Sequence, residues 1–277
     1  SSVYGYGGPV ASKAFSEIPE ELNAFFKTKF LNHCIKNNII AVFSRLHPLI
    51  NSSLFFYNFG IENLLNKVVV INLGESVDKQ KQHFGKSIKN QINQLKKKKG
   101  YTIKQIDKND ETGILNFINI YHQNMDRVNA DSFYYFDYSY FFNLLNNESF
   151  ESTLLGTYKG NELCAAGIFT NTNTIMQYHL SGTKDYYIKD TPMKLLLDEA
   201  RLLANRKGLN YFNLGGGVGG SDEDSLFKFK AGFSKNFFQF SVWNLVVNEN
   251  VYDRLVKEKG VNKEDHPNFF PLYRASN

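Results

Sequence analysis

Cysteine is nearly absent from this 277-residue chain: Cys34 and Cys164 stand far apart and outside any CxxC spacing. That pattern excludes a disulfide framework and a cysteine zinc site, so no metal centre is expected, and it fits a reducing compartment. Long apolar runs are missing as well. No stretch of about 18 apolar residues occurs, which excludes a membrane-spanning helix, and no secretory leader pattern is present. Glycine and proline, 20 and 6 residues, are too few for a disordered chain. The first residues, SSVYGYGGP, contain no methionine, so the numbering is expected to start inside a longer natural protein.

Acidic residues are missing from one segment. Nine lysines and no acid fall between Lys79 and Ile106, and since the whole chain carries +5, the remainder carries 5 − 9 = −4. Basic character therefore belongs to one element, which argues against a general nucleic-acid coat protein. Lys96 to Lys99 close a predicted helix over 76–98 before Gly100. Cations and a glycine at a helix C-terminus are structurally sufficient reasons for that run. The alternative is a contact with phosphates of a ligand, a tRNA or lipid head groups.

Aromatic residues are abundant, with 25 Phe and 16 Tyr. They suffice for a filled core and for aromatic-lined clefts. Along the first hundred residues the spacing predicts a helix over 20–35, a buried strand over 39–43 and strands over 54–59 and 68–73. The second half reads as a strand over 101–106, helices over 110–125 and from about Asp137, and a three-strand meander. The meander covers 153–158, 162–170 and 174–180, with a hairpin at Lys159-Gly160-Asn161. A polar loop over 181–190 follows, then a helix begun by Thr191 as N-cap and Pro192 at its first position. A strand over 211–214, a long strand over 237–247 and a helix over 251–259 complete the chain. This order is that of an acetyltransferase-like α/β (α+β) fold rather than a doubly wound sheet. In such a fold a donor sits where a parallel strand pair splays after the third meander strand.

The predicted strand over 211–214 runs into Gly215, Gly216 and Gly217, then Gly219 and Gly220, an acidic cluster (Asp222, Glu223, Asp224), and the segment Phe227-Lys228-Phe229-Lys230 with Phe233. Glycines after a strand mark positive φ or close approach by another group. A GK[ST] sequence is missing, so this is not a P-loop.

Taken together, YGYGGP (4–9), FSRLHP (43–48), YHQNMDRVNADSFYYF (121–136), YHLSG (178–182), NLGGG (213–217) and SLFKFKAGFS (225–234) resemble the FemAB/FemX group of peptidoglycan-bridge aminoacyltransferases and their GNAT-type acyltransferase relatives of surface-glycan clusters. The motifs span almost the whole chain in that family's order. The resemblance implies tandem GNAT-like domains. Residues 1–100 with 248–277 would form the first, lacking its opening strand and helix, and residues 101–247 the second. It further implies transfer of an acyl group from coenzyme A, or an aminoacyl group from tRNA, to an amine of a nucleotide- or lipid-linked sugar precursor of the cell envelope. The donor would be a substrate, with no tightly bound cofactor. A cytoplasmic enzyme is expected, with a contact at the inner membrane face through the basic 79–106 stretch.

The family's F-K-x-G-F pattern falls on Phe229 to Phe233, making Lys230 the match to the lysine implicated in catalysis. A cation beside the reacting carbonyl stabilises the oxyanion of amine acylation. His179 and Asp224 are candidate bases for the acceptor amine, a structural role being the alternative for each. Arg45 and Arg127 can present a guanidinium to phosphate or carboxylate, or form salt bridges. Tyr6, Tyr134 and Tyr135 are candidate linings of a sugar or nucleotide pocket, and Lys228 and the glycines 215–217 candidate substrate contacts. The chain departs from the family at two places. Residues 184–192, KDYYIKDTP, lack the glycines of a coenzyme A pyrophosphate loop, and no insertion provides a helical-hairpin arm. A third class of reading is a non-catalytic binding protein of the same fold.

Overall fold

Hydrophobic alternation on the meander strands organises the larger half of the protein. In this computed structural model, residues 5–50, 53–218, 221, 223–267 and 269–275 are described, those at 53 and 54 by backbone only. In chain order the elements are α1 (Glu20–Lys36), β1 (Ala41–Leu46), α2 (Ser53–Phe56), β2 (Ile61–Asn72), α3 (Val77–Gln82) and α4 (Lys86–Lys97). Then come β3 (Tyr101–Ile106), α5 (Glu111–Arg127), α6 (Tyr138–Leu145), β4 (Glu151–Lys159), β5 (Glu162–Thr172) and β6 (Ile175–Thr183). The chain ends with α7 (Met193–Arg206), β7 (Tyr211–Gly215), α8 (Ser225–Ala231), β8 (Asn236–Val246) and α9 (Glu249–Lys259).

The chain divides into two units: Ser1–Lys67 with Phe238–Asn277, and Val68–Phe237. Relative to the division expected at 100/101, the larger unit begins much earlier. The reason is packing: the α4 stripe Ile88, Ile92 and Leu95, with Phe84, joins the same cluster as Phe212, Leu214 and Leu196. Each of these buried apolar side chains contributes about 1.5–3 kcal/mol.

Within the larger unit the strand order is β2-β7-β6-β5-β4-β3. The β6–β7 pair is parallel and its neighbours are antiparallel. Side chains alternate between two cores. Leu154, Ala166 and Ile168 face Phe117, Tyr121 and Phe141 of α5 and α6. Leu155, Ala165 and Phe169 face Leu195, Leu196 and Ala200 of α7. Both faces are covered, so β4 and β5 read as nearly continuous buried runs. The α/β meander fold expected from the sequence is thus present.

The smaller unit holds α1, β1 paired antiparallel with β8, and α9. Its core gathers Phe55, Phe56 and Phe59 around Trp243, whose indole N–H donates to the Phe59 carbonyl at 2.5 Å. Leu272 N–H donates to the Tyr252 hydroxyl at 3.0 Å, fixing the C-terminal segment on α9.

Four sequence expectations are corrected. The segment 54–59 is not a strand: α2 and a turn place Phe55, Phe56 and Phe59 at helical spacing against Trp243. The helix expected over 76–98 is two helices, α3 and α4, because Phe84 turns inward against Phe233 (5.1 Å) and Gly85 N–H donates to the Gly232 carbonyl at 2.8 Å. The strand expected over 39–43 is β1 over Ala41–Leu46, so Ser44, Arg45 and Leu46 are paired with β8. Thr191 does not cap α7; it sits at φ 56° after a 3-10 turn over Asp185–Asp190.

Candidate active site

The parallel strands β6 and β7 pair over only three positions, Ile175 to Gln177 against Tyr211 to Asn213. Beyond them the strands are no longer paired, and the chain at that point is Tyr178 on one strand and Leu214 to Gly217 on the other. Gly215 takes φ 76°, a conformation that disfavours any side chain. Its N–H donates to the buried Asn213 Oδ1 at 2.9 Å, which turns the strand end.

Helix α8 stands against that turn. Asp224 caps it, its carboxylate accepting from Phe227 N–H at 2.8 Å. The same carboxylate abuts Gly217: a Cβ there would lie 2.2 Å from Asp224 Oδ1, so only glycine fits. Gly219, Gly220 and Asp222 lie outside the described residues. One turn and a half along the helix, Lys230 is 8% exposed. Its Nζ donates to the Gly216 carbonyl at 2.7 Å and stands 5.6 Å from the centroid of the Tyr178 ring. Burial lowers the Lys230 pKa to about 8, opposed by the Asp224 carboxylate. At neutral pH the group is therefore still mostly ammonium, in a site with little water to screen it. One N–H of the three is spent on a carbonyl, and no carboxylate lies within ion-pair distance among the described residues. A cation so housed is available to stabilise negative charge on a substrate.

Tyr178 completes the site. Its ring stacks on Phe169 (5.7 Å), its hydroxyl is hydrogen-bonded to Ser181 Oγ, and burial pushes its pKa up to about 12. Phe229 packs on the same core and meets Phe233 edge-on at 5.6 Å. Tyr178 and Ser181 carried no chemical signal of their own in the sequence. The signal available was their place in YHLSG, at the end of the third meander strand.

His179 is directed differently. The β5–β6 register slips between Ile168 and Phe169, leaving His179 as the extra residue of a bulge. Its Nε2 is 3.2 Å from the Tyr140 hydroxyl of α6, in the core on the opposite face from Tyr178. Burial lowers its pKa, so the ring is neutral at pH 7.

The remaining sequence candidates are dispersed. Lys228 is exposed and paired with Glu223. Arg127 is engaged by Asp185, Asn124 and, at 3.4 Å, the Thr183 carbonyl. The Tyr135 hydroxyl donates to Asp126 at 2.7 Å, and the Tyr134 carbonyl accepts from Tyr121 at 2.9 Å. Tyr6 and Arg45 belong to the smaller unit, where Tyr6 packs edge-on to His47 at 4.9 Å and Arg45 lies opposite Val242.

The start of α7 does not fit a coenzyme A diphosphate held by a glycine-rich loop. Thr191 N–H is spent on the Ile188 carbonyl and Lys194 N–H on that of Thr191, while Pro192 has no N–H. Among the described residues no group of His, Cys, Asp and Glu could hold a metal ion. None of the described helices is long and apolar enough to cross a membrane.

No family model matches the chain, and no curated protein matches it in sequence. Solved structures do match. The chain is similar to FemX at TM-score 0.65 and 12% identity, over 85% of this chain and 79% of that one. It is similar to L-PGS from Bacillus licheniformis at TM-score 0.61 and 12% identity, over 80% and 72%. It is also similar to the C-terminal domain of a putative lysylphosphatidylglycerol synthetase from Agrobacterium fabrum, at TM-score 0.58 and 12% identity, over 78% and 71%. At such identities the likeness is one of fold.

Proposed function

We propose that this chain, whose fold is that of FemX, is an N-acyltransferase acting on an amine of a sugar-nucleotide or lipid-linked cell-envelope precursor. The observation that carries the reading is Lys230, a buried ammonium placed where β6 and β7 part, bonded to one neutral acceptor and with no ion pair among the described residues. In the reaction the acceptor nitrogen attacks the donor carbonyl carbon, and the carbonyl oxygen becomes an oxyanion beside Lys230 Nζ. The bond to the carrier then breaks. The carrier leaves as an alcohol or thiol, taking up the one proton that the attacking amine gives up through a base. Asp224 is the candidate base, since His179 is bonded to Tyr140 in the core on the opposite face of the sheet.

Two donors fit this scheme, an aminoacyl ester of tRNA and an acyl thioester of coenzyme A. The spent N–H groups at the start of α7 favour the ester. The lysines of 79–106 supply a surface for its phosphates or for an anionic membrane; Lys97 and Lys98 are exposed there.

Donor competition tests the reading. One panel of amino-sugar and peptidyl amines is offered with acetyl-coenzyme A and, separately, with labelled aminoacyl-tRNA. Label in an amide product that Lys230→Met fails to form is the expected result. Product formed equally by the variant, or by neither protein with either donor, overturns it.

A further inference from the structure

The environment of Lys230 poses a question that its hydrogen bond does not answer. An ammonium that is 8% exposed and bonded to one carbonyl is under-satisfied, since it has three N–H groups. The carboxylate acting on it, Asp224, begins its own helix, where it accepts from the Phe227 N–H and fills the space beside Gly217. The glycine run offers only backbone, and on the outer side of α8 Lys228 and Glu223 are exposed and paired with each other. What remains among the described residues is the face of Tyr178, 5.6 Å from Nζ to ring centroid, inside the range at which a ring quadrupole attracts a cation.

Tyr178 is itself fixed at three points. Phe169 stacks on it, Ser181 holds its hydroxyl, and the bulge at His179 sets the direction in which it leaves β6. A ring held so firmly, with its hydroxyl already bonded, has its face as the free functional surface.

We propose that Tyr178 is the positioning residue of Lys230: its ring face holds the ammonium at the parting of β6 and β7, and Ser181 holds the ring. The role belongs to the face and not to the hydroxyl. Tyr178 thereby keeps Lys230 charged and aimed for the acyl transfer proposed above, a reading on which the catalytic half of the inference rests.

Lys230 protonation in the full-length chain gives the test, read without any substrate. The protein is acetylated with acetic anhydride across a pH series, and mass spectrometry of the Lys230 peptide gives the midpoint at which the amine becomes reactive. Tyr178→Phe and Ser181→Ala should keep the midpoint of the parent. Tyr178→Leu should lower it by about one pH unit, the worth of a desolvated cation–π contact. Tyr178→Met, flexible and similarly apolar, repeats the measurement should the leucine variant not fold. An unchanged or raised midpoint in both aliphatic variants overturns the inference, as does a drop in Tyr178→Phe equal to that in Tyr178→Leu. With a working donor, Tyr178→Leu should also lose about tenfold in kcat with KM little changed. Midpoints that behave as stated in a protein that turns over no donor would refute the acyltransfer reading and leave the contact standing.

Discussion

Arg201 and Lys230 are both buried cations of the larger unit, and their surroundings differ in kind. Arg201 is 1% exposed and donates to Asp198 at 2.8 and 3.2 Å, to the Val77 carbonyl at 3.2 Å and to Gln80 at 2.9 Å. Gln80 is in turn bonded to Asn205 and to the Glu75 carbonyl, so the network closes on itself and ties α3 to α7. Lys230 has one carbonyl, one ring face and no ion-pair partner among the described residues. A saturated buried cation is a structural tie. An under-satisfied one keeps capacity for a ligand's charge, and the folded state bears a desolvation cost for it.

The comparison can be broken most forcefully at Arg201. Replacing it with leucine leaves the buried Asp198 carboxylate with only Lys96 at 3.9 Å, and the chain should lose about 3–5 kcal/mol in urea unfolding. A loss under about 1 kcal/mol would mean the network is not a tie. At Lys230 the expected pattern reverses. Lys230→Met should cut turnover by about 10² or more, near 2.7 kcal/mol of barrier. Its melting temperature should be no lower than the parent's, since a desolvated charge is removed. A variant that both melts early and retains its rate would assign Lys230 to structure.

The finest test is pH. With the folded pKa of Lys230 lowered to about 8, the unfolded chain binds the extra proton between about pH 8 and 10.5. Stability therefore rises with pH across that window as the buried charge is lost, and the advantage of Lys230→Met should shrink there. Turnover that depends on the ammonium should fall over the same range. Both trends are read from one set of buffers by thermal melting and initial rates, and a rate that rises past pH 8 would make Lys230 a base instead.

Much of this arrangement was legible in the sequence. The meander, its hairpin at Gly160, the helix after the polar loop and the glycine run each carry a local cause, so period and punctuation located them. The capping of α8 by Asp224 was not read, but Lys230 was reached because a motif marked it, and Asp224 as a candidate base beside that motif. Tyr178 was not, since its partner is 52 positions away and nothing local distinguishes a ring that carries a cation from one that fills a core. Arg201 and Gln80 escaped for the same reason, being 121 positions apart. Phe55, Phe56 and Phe59 misled because a short aromatic run fits a strand as readily as a helical turn. The break between α3 and α4 depends on Gly232, far along the chain.

The extra residue at His179 has a consequence for how this sheet tolerates change. Because of it, Tyr178 and Leu180 leave the strand on opposite faces, although positions two apart normally share one. Position 179 is thus a side chain that the ladder does not need, its ring bonded instead to Tyr140 of α6. Removing it is another matter. A one-residue deletion would restore the even count and turn either the ring away from Lys230 or Leu180 out of its core, so this stretch is closed to changes of length.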